Sequence, residues 1–539
     1  MNRKNNRRFG MSDKIDSMLD GLGIDKDELL SLSGIDLDKY KLTSPFPASG
    51  RYKRHIEFLE YITSLEALYK FRVQVIVEYF IALADTMSKY QGKFSHQKII
   101  PFPLTDSMKS KLRNISPELS YKQIAQIEAI EKKSDHDTAA ITDWVKFVVD
   151  HQDIMGFSKA PEEDRQGYEN SLDGFHFGRT SEDVNSPVFA LINRRLFFEY
   201  VIPEIISFQE MIMEYAQEFN TATAGLTHGQ PAEPTTISKQ LMNTVAAVDH
   251  VLRQVFLPYD ENGNQNTIAF PVKTFGAVGN NSDLKSAYPD INWIENDQRF
   301  VKALGKGFYL DYMSTQASLY GQYKLIYDAV CTISRHIIKF IRDFWGWTSF
   351  QWFKKRRKKG VKGSSVMPNK YNPWRMEGAG KILEKFIVQL EYTSKALIDY
   401  PYEGDMGRSI VMRDIGDDFA KFFIAIGRIK EELRLYEVNK EKIEKFLHEN
   451  PGLVGGAAQT ILKRSQIPGD AYRHIQEIMI NPDGSYVTSS KFAEKLREKI
   501  KSGDIPDEVG NEILEKANVQ NNTGYADELA DTAMETAME

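Results

Sequence analysis

Residues 319–341 read LYGQYKLIYDAVCTISRHIIKFI, and in them Leu319, Tyr323, Ile326, Val330, Ile333, Ile337 and Ile341 recur at steps of three or four. That is the spacing of one buried stripe on an α-helix. The pattern extends from about Asp311 to Trp345. A helix of about 30 residues is about 45 Å long, well above the usual globular length. A stripe that long is buried only against neighbours of similar length. Val188–Phe219, Thr236–Leu257, Met376–Tyr400 and Asp417–Tyr436 supply them, each read as one helix. Tyr61–Ala84 and Ala139–Val149 add apolar residues at helical spacing, and strand patterns are sparse. The expectation is an all-α chain with a long central helical bundle. Such bundles expose apolar stripes to other copies, so an oligomer is expected.

The ends differ from the middle. Residues 1–40 are polar, with short amphipathic stretches at Ile15–Leu22 and Leu29–Leu37. Pro451, Gly452, Gly455 and Gly456 interrupt the pattern after the bundle. The expected division is an extension over 1–40, an N-terminal helical domain over 41–172, the bundle over 173–437 and a C-terminal helical domain over 438–539. The acidic, Ala/Met-rich tail from Ala526 reads as a frayed helix or disorder.

The chain has 539 residues, 42% hydrophobic and 27% charged, with a net charge of −6. An acidic balance argues against a general nucleic-acid binder. Cys331 is the single cysteine, so no internal disulfide can form, which fits a reducing, cytoplasmic setting. Its apolar helical context reads as a packed thiol. No stretch approaches the roughly 18–20 apolar residues of a membrane span, and no apolar segment follows the basic N-terminus to make a secretory signal.

Two loops carry chemistry. The first is Gly363-Ser364-Ser365-Val366-Met367-Pro368-Asn369-Lys370-Tyr371-Asn372-Pro373. Its glycine and prolines exclude an element interior. Lys370 can hold a carboxylate as a point charge. A serine there can act as a base only where the site favours the alkoxide. The second is Thr227-His228-Gly229-Gln230-Pro231-Ala232-Glu233-Pro234-Thr235-Thr236. Turn residues put His228 on a loop and Thr235 or Thr236 at a helix N-cap. A histidine there can give or take a proton near neutral pH.

The first loop resembles the GSSxMPxKxNP loop of the fumarase/aspartase superfamily. The second resembles the THGQPAxPTT segment of the adenylosuccinate lyase family within it. Further matches follow in one order: Gly50-Arg51-Tyr52 after Ser44-Pro45, Lys70–Val75 (like the bacterial form's first long helix), Asp135-His136-Asp137, Phe175-His176-Phe177 with Thr180-Ser181-Glu182-Asp183, and Gly276-Ala277-Val278-Gly279-Asn280. Each has a plain reading beside it. Arg51 alone is a solvated charge, His176 a core histidine, and Thr180-Ser181-Glu182 a helix cap. A metal site is the sharper rival for His136, Asp137 and His176, but the family uses no metal and no cofactor.

The resemblance implies β-elimination of fumarate from adenylosuccinate, giving AMP, and from the succinyl-carboxamide ribotide of purine synthesis. By motif, Ser364 is the candidate base, with Ser365 as the fallback, and His228 is the candidate acid. Glu377 matches a glutamate that orients that histidine. Lys370 and Asn372 are expected on the succinyl carboxylates, as are Thr180 and Ser181. Arg51, Tyr52, Ser409 and Arg413 are expected on the phosphate and ribose. Asp135, His136, Asp137 and Gln316 are expected to line the cavity, with His176 in support. The family assembles each active site from three subunits of a homotetramer. Two alternatives stand beside this reading: a sibling lyase acting on a 2-amino or deoxy substrate, and a non-catalytic scaffold of the superfamily.

The chain departs from the family's QRDxxxSxxxR segment at Glu403–Arg413, where Gly404 stands in place of the first arginine. A lost guanidinium contact to an anion is worth about 1.5–3 kcal/mol. Arg408 or Arg179 could substitute. Leu226 and Asp135 also depart from the pattern. The run Lys354-Lys355-Arg356-Arg357-Lys358-Lys359 has three readings: a solvated charge run, steering of an anionic substrate, or a nucleic-acid or localisation signal.

Overall fold

The structure is a computed structural model. It describes residues 12–21, 23–31, 50, 52–90, 97–159, 161–258, 267–356, 366–367 and 370–538. The fold is all-α, with six short strands among the described residues. It divides into two compact units. One comprises Met1–Ile202, Asp260–Asp328 and Val388–Phe423; the other comprises Pro203–Tyr259, Ala329–Ile387 and Ile424–Glu539. Among the described residues, no helix is long and apolar enough to cross a membrane.

The first unit is organised by the helix Leu65–Lys89, capped by Ser64, whose side chain accepts from the Ala67 amide. Buried residues occur on every side of it, as expected of a helix enclosed in a core. Phe80 stacks on Phe175 with centroids 3.9 Å apart. The helices Tyr121–Ser134 and Asp137–His151 form a hairpin turned by Asp135, whose φ of 51° is left-handed. The N-terminal extension docks here through the buried residues Ile15, Leu19, Ile24 and Leu29. Gln126 Nε2 donates to the Leu29 carbonyl at 3.0 Å, and Trp144 Nε1 donates to Gln126 Oε1 at 3.0 Å.

The expected long helices form, with instructive differences. Val188–Phe219 is Ser181–Arg195, a π-helical turn Leu196–Val201 and Ile202–Glu218. Pro203 has no N–H for the carbonyl four residues back, so the register changes there. The expected helix from Asp311 starts instead at Gly321 and runs to Ser349. Asp311 holds the preceding segment as a turn, accepting from Ser318 Oγ at 2.8 Å and from the Leu319 amide at 3.1 Å. Leu319 is therefore outside the helix and 48% exposed, whereas Tyr323, Ile326, Val330, Ile333 and Ile337 are fully buried. The remaining three run Ile237–Val255, Trp374–Ala396 and Ile415–Leu433.

In the second unit, Phe208 meets Phe340 edge-on at 5.9 Å, and Phe344 meets Tyr436 at 5.0 Å. Strand Phe353–Lys355 pairs antiparallel with Tyr436–Val438. This pairing bears on the basic run. Lys354 and Arg356 each reach Glu437 at 3.2 Å, and Lys355 reaches the buried Glu432 at 2.6 Å. These three charges are paired, two on the strand and Arg356 just past it; the rest of the run lies outside the described residues. The tail corrects the expectation of fraying. Ala526–Met538 is a helix with Ala526, Ala530 and Met534 buried. Small residues four apart let it lie closely against Ile237–Val255. Asn220 Nδ2 ties it down at Asp527 Oδ1, 2.9 Å away.

Candidate active site

In the first unit the candidate residues converge on Asp137. Its Oδ2 meets Arg72 Nη2 at 2.9 Å and Arg413 Nη2 at 2.7 Å, and its Oδ1 accepts from the Thr138 amide at 2.7 Å. Arg72 is 1% exposed and also donates to Asn185 Oδ1 at 2.9 Å. Asn185 Nδ2 faces Ser409 Oγ at 3.4 Å. Residues 72, 137, 185, 409 and 413 thus form one polar line. Burial opposes ionisation of Asp137, but Arg72 and Arg413 prevail and hold its carboxyl below the usual range. A carboxylate engaged by two guanidiniums suits charge balance rather than metal ligation.

His136 caps the following helix, its Nδ1 accepting from the Ala139 amide at 3.3 Å. That leaves the proton of the neutral ring on Nε2, which faces Ser181 Oγ at 3.3 Å. So His136 and Ser181, 45 residues apart, share one spot beside Asp137. Asp135 makes the turn and is exposed. Tyr52 sits at the turn before the short helix Lys53–Ile56; Arg51 lies outside the described residues.

Thr180 opens the helix Ser181–Arg195 with a capping box: its amide and hydroxyl meet Asp183 Oδ2 at 2.7 and 3.0 Å. Asp183 Oδ1 takes Lys273 Nζ at 2.7 Å and the Gly276 amide at 3.1 Å. One buried carboxylate therefore holds both the Thr180-Ser181 segment and the Gly276–Asn280 turn. In that turn Gly279 has φ +75°, and a Cβ there would lie 2.0 Å from the Ser314 carbonyl oxygen. Only glycine fits. Sequence reasoning passed over Asp183, Lys273, Arg72 and Asn185 as site supports; the Thr180-x-x-Asp183 box was the one legible signal.

Arg179 is spent elsewhere. It pairs with Asp297, donates to Asn281 Oδ1 at 3.2 Å and lies over the Tyr79 ring. It is not available for an anion. Arg408 and Gln316 lie together beside Gly404.

His176 ends a 3-10 turn, and its Nδ1 has no hydrogen-bond partner among the described residues. Burial lowers its pKa to about 4. The folded chain keeps this ring neutral, whereas the unfolded chain protonates it near pH 6.5. Stability is therefore expected to fall as pH drops from about 6.5 to 4, because the unfolded state gains a proton first. His176→Leu should flatten that part of the pH dependence, read from urea midpoints at pH 7 and pH 5.

The second unit carries the candidate acid. Strands Ala222–Thr227 and Gln230–Thr236 pair antiparallel, leaving His228-Gly229 as a two-residue turn. Both residues have positive φ, 54° and 75°, which is the type I′ geometry that matches strand twist. His228 is exposed at the tip. The expected loop is thus the turn of a β-hairpin, and Thr236 caps the next helix by accepting from the Lys239 amide at 3.2 Å. Ser364 and Ser365 lie outside the described residues. Lys370 is exposed, and the Asn372 carbonyl accepts from Lys355 Nζ at 3.3 Å. Glu377 Oε1 accepts from Trp345 Nε1 at 3.2 Å. Among the described residues no hydrogen bond joins it to His228.

Residues 50–385 match the family described as lyase, and residues 402–521 match the adenylosuccinate lyase C-terminal family. The chain is 29% identical to an adenylosuccinate lyase of Dictyostelium discoideum, over 88% of this chain and 94% of that protein. It is 28% identical to one from Haemophilus influenzae, over 87% and 93%. Among solved structures, a fumarate lyase from Mesorhizobium sp. superposes with a TM-score of 0.61 at 14% identity, covering 89% of this chain and 98% of that one. A β-carboxy-cis,cis-muconate cycloisomerase from Acinetobacter calcoaceticus gives 0.60 at 14%, covering 90% and 99%. These two likenesses speak to fold.

Proposed function

This chain belongs to the lyase family, and from that premise we propose that it is an adenylosuccinate lyase, eliminating fumarate from adenylosuccinate to leave AMP. The observation that carries the reading is that relatives with this one activity match nearly their whole length in this chain. The succinyl-carboxamide ribotide is the second substrate, because its scissile C–N bond joins the same succinyl group. The alternatives are less favoured. The curated relatives named above are adenylosuccinate lyases, which does not favour a sibling lyase. A non-catalytic scaffold has no need of an imidazole exposed at the tip of a β-turn.

In the proposed reaction Ser364 takes a proton from the succinyl carbon. The electron pair left behind is delocalised into the neighbouring carboxylate, which Lys370 and Asn372 hold. The pair then forms the carbon–carbon double bond as the C–N bond breaks. His228 delivers a proton to the departing nitrogen. Ser181 and His136 offer donors to a carboxylate. Tyr52, Ser409 and Arg413, with Arg51, hold the phosphate and ribose, and Gln316 completes the cavity.

We read the working form as a homotetramer whose subunits share sites. Support comes from large apolar side chains left open on the long helices: Leu325, Val388 and Tyr392 are 61%, 68% and 65% exposed. Val388 and Tyr392 are four residues apart and so share a face of their helix, and apolar exposure on one face fits an association surface. A cytoplasmic setting accords with Cys331 as the only cysteine.

The direct test measures fumarate released from adenylosuccinate, its 2-amino analogue and argininosuccinate. Turnover is expected with adenylosuccinate and not with argininosuccinate. No fumarate from adenylosuccinate would refute the assignment. Faster turnover of the 2-amino compound would move it to the sibling reading.

A further inference from the structure

We propose that Arg408 is an anion-binding, specificity-determining residue of the substrate site, seated there by the absence of a side chain at Gly404. The Arg408 side chain is 2% exposed. Its Nη2 donates to the Asp405 carbonyl at 2.9 Å, and the cation lies 4.1 Å from the centre of the Tyr400 ring. Its Nε and Nη1 have no hydrogen-bond acceptor among the described residues. The Asp405 carboxylate stands 3.6 Å from Nη1, too far for a hydrogen bond. Glu182 is within electrostatic reach, but its Oε1 is bonded by the Tyr320 hydroxyl at 2.8 Å.

The other two arginines are tied to acceptors, with the Arg179 Nε alone unpartnered among the described residues. Arg72 is bonded to Asp137 and Asn185, and Arg179 to Asp297 and Asn281. A buried guanidinium left without a hydrogen-bonded carboxylate is strongly unfavourable. Arg408 alone of these three keeps two N–H groups for a partner that arrives from outside. Two such donors suit the oxygens of a phosphoryl or carboxylate group.

The position is made by its neighbour. Gly404 has φ +147°, and a Cβ there would lie 2.5 Å from Arg408 Nη2 and 3.2 Å from Gln316 Oε1. Any other residue at 404 would displace the guanidinium. Arg408 is also next to Ser409, the end of the polar line that runs through Asn185, Arg72 and Asp137 to Arg413. The ligand assignment rests on the lyase reading, whose substrate carries both kinds of anion.

The test compares the full-length wild type with Arg408→Met, Arg408→Lys and Gly404→Ala. The first readout needs no turnover: thermal melting in chloride, then with inorganic phosphate or succinate added, and calorimetric binding of AMP against adenosine. The wild type should be stabilised by one of the anions. Arg408→Met should lose most of that shift, bind AMP about 10-fold or more weakly, and melt no lower than wild type in chloride. Arg408→Lys should recover part of the binding, and Gly404→Ala should mimic the loss.

Loss confined to phosphate and AMP identifies a phosphoryl site. Loss with succinate, together with a raised KM for both adenylosuccinate and its dephosphorylated nucleoside, identifies a carboxylate site. Either supports the proposal. It is overturned if no anion stabilises the wild type. It is equally overturned if Arg408→Met keeps wild-type anion responses, whether or not its melting point falls. A wild type that binds anions yet releases no fumarate would refute the lyase assignment and leave the anion site standing.

Discussion

Replacing His228 with asparagine is expected to lower fumarate release by about 10²–10⁴-fold, the range that a positioned general acid contributes. Asparagine is the informative substitution because it tolerates the left-handed conformation that residue 228 adopts, with φ 54°. The type I′ turn should survive, and with it the pairing of Thr227 with Gln230. His228 is exposed, so the melting point should barely move. The loss should appear in kcat more than in KM, since the proton is transferred only in the transition state. Wild-type turnover by His228→Asn would remove the histidine from the mechanism.

Asp183→Asn should produce the largest loss of stability, about 3–5 kcal/mol, the usual result of removing one partner of a buried pair. Asp183 is 3% exposed and Lys273 is fully buried. The asparagine preserves volume and leaves the ammonium of Lys273 without its counter-charge. Three further contacts weaken together, two at Thr180 and one at the Gly276 amide. Urea unfolding would read the change, and adding Lys273→Met should recover a substantial part of it. A single variant as stable as the wild type would show that the carboxylate is not the hub.

Acid should act through the same groups. Burial opposes ionisation of Asp183 and Asp137, yet their cationic neighbours hold both carboxyls below the ordinary range. Protonating them is harder in the folded state. The stability they confer is complete above the unfolded pKa of about 3.9 and drains away as pH falls through the depressed folded values.

The helical architecture was legible wherever burial is periodic. Tyr323, Ile326, Val330, Ile333 and Ile337 announce their face and are fully buried. The errors came where a single interaction overrides periodicity. Asp311 captures the Leu319 amide and delays the helix start. Pro203 breaks the register of another helix. Ala526, Ala530 and Met534 form too weak a stripe to be read as packed, yet small side chains are what close packing against a neighbouring helix requires.

By itself the sequence determined the elements and the chemical inventory, because turn residues, caps and a 3.6-residue period are local properties of a chain. It also marked His228, Lys370 and the serine pair, since each sits in an unusual local string. Only the tertiary structure decided which charges meet. Asp137 and Arg413 are 276 residues apart, and no local pattern encodes that pairing. Nor could the sequence separate Arg179 from Arg408, because which guanidinium is hydrogen-bonded to a buried carboxylate depends on how the core closes.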